Sequence, residues 1–149
     1  MMTRFVWIAA AACMIVAAGM FSLTGCGGDP PEPELLITNE SFSIDMATER
    51  QYAVKATGTV RNVGDVDVRD LVITGGCPSC SPTYRHGQWY LSEREKADEE
   101  MAVIRYLGAG EQADFEVMGV AYFPTGGGEG PDEMPDEMEV YIMSYEVSN

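Results

Sequence analysis

The chain is short of positive charge. Nine Lys and Arg stand against 24 Asp and Glu, for a formal net charge of −15 over 149 residues. Only Lys55 and Lys96 are lysines. Phosphate binding needs clustered Lys and Arg, so this balance argues strongly against a nucleic-acid partner. It also disfavours docking onto anionic headgroups. It suits a self-repelling surface that faces water, and it fits a saline habitat as well. Histidine is nearly missing, since His86 stands alone. Zinc normally takes four ligands. One His and one Cys-x-x-Cys do not reach four, and nothing in the pattern places carboxylates to complete the set. No Gly-rich phosphate loop occurs, because Gly126-Gly127-Gly128 is followed by neither Lys nor a helical pattern. The sequence thus offers no catalytic residues, no metal site and no cofactor site, and the expectation is a protein that is not an enzyme.

Charge of either sign is absent from residues 5–23, which are mostly Ala, Val, Ile, Met, Phe and Trp. Arg4 precedes this run and small residues close it, as in a secretory signal peptide. The run approaches the roughly 18 to 20 residues that span a bilayer, so an uncleaved anchor is the alternative. Leu23-Thr24-Gly25-Cys26 decides between them. An aliphatic residue, two small residues and a Cys resemble a lipobox, the cleavage and lipidation signal of bacterial lipoproteins. The resemblance implies a signal peptide over 1–25 and a mature N-terminus at Cys26, carrying palmitate-type acyl chains. More than one chain is what stable anchoring needs. Gly27 follows where an Asp would resemble an inner-membrane retention signal, which leans toward the outer membrane in a two-membrane cell. The expected location is the cell or outer membrane, facing periplasm or exterior. Loss of Arg4 with the leader leaves eight cations and 24 carboxylates, a mature charge of −16.

Residues 26–34 form the lipidated Cys and a tether. Apart from its prolines, 27–34 has no apolar side chain and cannot bury anything. Prolines favour an extended chain of about 3.1 Å per residue, so the domain is held within roughly 25 Å of the bilayer.

Residues 35–149 then read as one all-β domain. Strands are expected over 35–44, 50–63, 66–74, 88–91, 101–107, 113–123 and 138–147, with a bulge at Asn39-Glu40. The second is the clearest. Tyr52, Val54, Ala56, Gly58 and Val60 fall on one face, with Ala53, Lys55, Thr57, Thr59 and Arg61 on the other. Gly64-Asp65 is expected to join it to the third strand as a hairpin, and Ser92-x-x-Glu95 to open a helical turn as a capping box. Seven short strands between regular turns suggest an antiparallel β-sandwich.

The stretch Thr57-Gly58-Thr59-Val60-Arg61-Asn62-Val63-Gly64, with Leu107-x-x-Gly110-Glu111-x-Ala113-x-Phe115-x-Val117 after a hydrophobic strand, is similar to the FxLYD family. These are immunoglobulin-like domains of exported bacterial and archaeal proteins. The likeness covers roughly residues 50–147. It implies an immunoglobulin-like sandwich and brings no catalytic residues with it. The family's Tyr-Asp pair is absent, and Gly75-Gly76-Cys77 stands there instead.

With Cys13 in the leader and Cys26 lipidated, Cys77 and Cys80 remain as an even pair in an exported protein. A structural disulfide in a tight turn is the leading expectation, with a redox couple or half a metal site as alternatives. Redox use normally needs a thioredoxin-type setting, and no βαβ pattern exists. His86, between Arg85 and Gly87, reads as exposed and inert. In 125–139, Pro131-Asp132-Glu133-Met134 repeats as Pro135-Asp136-Glu137-Met138. This reads as a solvated loop rather than a calcium cage, because EF-hand spacing is absent. Tyr84, Trp89, Tyr90 and Tyr106 are candidates for core packing or for an aromatic ligand patch. The expected function is therefore a lipid-anchored, non-enzymatic interaction module whose partners are the membrane and another envelope protein. The alternative is a thiol- or metal-linked envelope protein using Cys77, Cys80 and His86.

Overall fold

A computed structural model describes residues 32–148. The leader, Cys26 and the tether as far as residue 31 lie outside the described residues.

Seven strands follow in chain order: β1 (Leu35–Thr48), β2 (Gln51–Asn62), β3 (Val68–Gly76), β4 (Met101–Leu107), β5 (Gln112–Val117), β6 (Tyr122–Pro124) and β7 (Glu139–Val147). They form two antiparallel sheets packed as a β-sandwich. One runs β1-β2-β5, with β6 also on β2, and the other runs β4-β3-β7. Alternation places Val54, Ala56 and Val60 of β2 in the core. Val68, Leu71 and Ile73 of β3 and Leu107 of β4 join the core from the other sheet, and Phe115 and Val117 of β5 join it beside β2. Each buried aliphatic side chain is worth about 1.5–3 kcal/mol, so this layer is the main source of stability. Gly58 belongs to it for a steric reason. A Cβ there would lie 2.6 Å from the ring of Phe115, its cross-strand partner.

The expected bulge occurs: pairing with β2 shifts between Thr38 and Ser41, and Asn39 has a φ of 55°. The expected hairpin between β2 and β3 does not form, because the two strands belong to different sheets. Asn62 explains the crossover. Its buried amide donates to the Val66 carbonyl at 2.7 Å and the Leu107 carbonyl at 3.2 Å, and its Oδ1 accepts from the Gly64 N–H. These bonds turn the chain out of one sheet and into the other. Residues 88–91 form no strand; Tyr90 makes only single bridges to Ser81 and Tyr122. The helical turn falls at Asp98–Glu100 rather than at Ser92, because the carboxylate of Glu100 caps the Ala97 N–H at 2.7 Å. At the tether's end, the Glu34 carbonyl accepts from Val63 N–H at 2.7 Å, so residues 32–34 rest beside Gly64.

Candidate interaction surfaces

Cys77 directly follows β3, and Cys80 lies at disulfide distance from it, with Cα atoms 5.3 Å apart. The Cys80 N–H donates to the Cys77 carbonyl at 3.1 Å, which closes a turn around Pro78-Ser79. The turn reaches further than expected. Ser79 Oγ donates to the Glu137 carbonyl and accepts from the Glu137 N–H, at 3.3 and 3.0 Å. It therefore clamps the acidic loop as well as its own. His86 is exposed and meets the ring of Tyr84 edge-on at 5.4 Å. Among the described residues, no three His, Cys, Asp or Glu side chains converge on a point.

That acidic loop folds over an aromatic pair. Trp89 and Phe123 meet edge to face at 5.3 Å. The indole N–H of Trp89 donates to the Glu133 carbonyl at 2.9 Å, which fixes ring and loop together. Two adjacent clefts, of about 330 and 440 Å³, share Trp89, Phe123 and Met134. Asp136 borders the first, and Asp132 and Glu133 border the second. Alternation located neither cleft, because both depend on a loop without period.

A third feature lies under residues 91–100. Glu100 is 1% exposed. Its carboxylate accepts from Arg94 at 2.7 Å, Tyr122 at 2.8 Å and the Ala97 N–H at 2.7 Å. Burial, and then the bond to Glu100, holds the Tyr122 hydroxyl well above the ordinary tyrosine range. Burial lowers the pKa of Lys96, whose ammonium donates to the Gly75 carbonyl at 3.0 Å. With its charge compensated by Arg94, this network fastens the long crossover onto the sandwich. Glu100 gave no sign in the sequence, where it sits in a charged run like a solvated face.

The fourth feature is the outer face and edges of β4-β3-β7. Of eleven exposed large hydrophobic side chains, six belong to β4 and β7: Val103, Tyr106, Tyr141, Met143, Tyr145 and Val147. Val103 is 58% exposed and Met143 54%. Cross-strand pairing aligns Val103 with Val72 and Ser144, and Met101 with Thr74 and Tyr141. These three strands carry two arginines and three carboxylates, and no ion pair among the described residues involves them. No family model, no curated protein and no solved structure matches this chain.

Proposed function

We propose that the protein is a lipid-anchored, extracytoplasmic envelope protein of immunoglobulin-like type, akin to FxLYD domains, and that it works as a non-enzymatic binding module. Cys26 holds it to the membrane through acyl chains. The outer side of β4-β3-β7 contacts another envelope protein. The observation that carries this reading is the exposure of six apolar side chains on the edge strands β4 and β7. Large apolar patches are uncommon on monomeric surfaces and mark interaction sites. The strands of this sheet carry two arginines and three carboxylates, so little of the chain's negative charge lies on them to repel a partner.

The test is affinity capture of the full chain from its native envelope. Val103→Ser with Met143→Ser should abolish recovery of a specific co-captured protein while acyl labelling persists. Recovery unchanged by both substitutions would contradict the reading. Cys26→Ser should abolish acyl labelling. Alkylation of the unreduced protein tests the thiol-linked alternative, which requires free thiols at Cys77 and Cys80.

A further inference from the structure

We infer that the paired clefts around Trp89 and Phe123 form a second binding site, which takes a Lys- or Arg-bearing segment of a partner protein. The site is distinct from the outer face of β4-β3-β7 and does not depend on it. Trp89, Phe123, Met134, Pro131 and Pro135 supply apolar contact surface, set among polar groups that include Ser79, Ser81 and Gln88. Its rim is anionic, supplied by Asp132, Glu133 and Asp136. A cation on an apolar stem matches both: the methylenes of Lys or Arg cover apolar surface while the head stays polar. An aromatic face adds attraction for that head when it lies within about 6 Å of the ring.

The charge pattern selects the sign of the ligand. After Arg105 the chain has ten carboxylates and no Lys, Arg or His. Six of the ten fall within residues 129–139, beside the clefts. No described ion pair involves any of these six. Arg85 is the one Lys or Arg in the neighbouring stretch 84–90. An anionic ligand would meet this field unscreened at contact distance, since the Debye length is about 8 Å at physiological salt. A bare divalent ion is a poorer match than a side chain, because no three carboxylates converge among the described residues. The site is also organised before binding. Two prolines limit the loop, Ser79 clamps Glu137 through two hydrogen bonds, and the Trp89 indole is tied to Glu133. Little ordering is left for the bound state, which favours affinity from a small contact.

The experiment uses the full chain in nonionic detergent at physiological salt, with fluorescence anisotropy of a short labelled peptide alternating Arg and Pro. Asp132→Asn with Glu133→Gln and Asp136→Asn should weaken binding by about tenfold or more. Trp89→Phe, which keeps an aromatic ring, should weaken it about threefold. Glu40→Gln with Asp70→Asn and Glu116→Gln removes equal charge elsewhere and should change binding by less than about twofold, given screening. Absence of binding would overturn the site. So would equal losses in the two triple variants, which would mean diffuse attraction, or no effect of Trp89→Phe. Spermidine competing as strongly as the peptide would overturn the choice of a protein segment.

Discussion

The two sheets of the sandwich share one core and treat their outer faces differently. On the four-stranded sheet, four of the six charged side chains find partners. Lys55 lies 3.0 Å from Asp45 and 3.9 Å from Glu116, and the Thr59 hydroxyl donates to Asp114 at 2.8 Å. Among its strands only β1 shows large exposed apolar side chains, Leu36 and Met46. The β1 edge is also bent by the bulge at Asn39-Glu40, a device that discourages strand addition. The three-stranded sheet has the opposite surface. Tyr, Met and Val side chains are exposed on β4 and β7, and its arginines and carboxylates form no described ion pair. Net charge does not separate the sheets, because the acid of this protein lies mostly in loops and tether. What separates them is whether apolar area is left in water. One sheet keeps most of its large apolar side chains out of water, and the other leaves six of them exposed on its edge strands.

The largest expected effect comes from cutting the joint between the sheets. Asn62→Ala leaves the Val66 and Leu107 carbonyls and the Gly64 N–H without their side-chain partner. Unmet buried polar groups cost about 1–3 kcal/mol each, so a loss of about 3 kcal/mol is expected in urea unfolding. A loss below about 0.5 kcal/mol would mean that the crossover holds itself. Next comes the end of β3. Cys77→Ser with Cys80→Ser should leave the fold intact and cost no more than about 2 kcal/mol, because the closed loop is short. A variant that fails to fold would instead revive a structural metal at that turn, whose removal costs far more.

A smaller effect tests how the crossover is fastened between the sheets. The Tyr122 hydroxyl is held above its unfolded pKa, so the folded state keeps a proton that the unfolded state gives up. Its contribution is therefore complete below about pH 10 and is lost as pH rises further. Melting temperature should fall less steeply above about pH 10 in Tyr122→Phe than in the parent. Identical slopes would contradict a buried bond to Glu100. The smallest effect on stability sharpens the comparison most. Val103→Ser and Met143→Ser should each shift stability by less than about 0.5 kcal/mol, as at solvent-exposed sites. A larger loss would mean that these side chains pack within the domain.

Much of this architecture is legible in the sequence wherever the period of two is long. The alternation from Tyr52 to Val60 reads out the core face of β2, and residues 101–107 match β4 at both ends. Legibility fails where the deciding contact is remote. Gly64-Asp65 has the chemistry of a hairpin turn, but the side chain of Asn62 reaching Leu107 sends the chain to the other sheet. Trp89 and Tyr90 look like a strand, yet only Tyr90 is paired, by single bridges to Ser81 and Tyr122. Glu100 resembles its solvated neighbours until Arg94 and Tyr122 close over it. The exposure of Met143 and Tyr145 was hidden for a related reason. A strand of alternating apolar residues does not say which of its faces another sheet will cover.

The most direct test of the proposed contact through β4-β3-β7 is site-specific photo-crosslinking in the native envelope. One probe replaces Met143 on β7, and the other replaces Glu116 on β5 of the opposite sheet. The account predicts a discrete adduct with a second protein from position 143 and none from 116. Equal adducts from both positions, or an adduct from 116 alone, would contradict it.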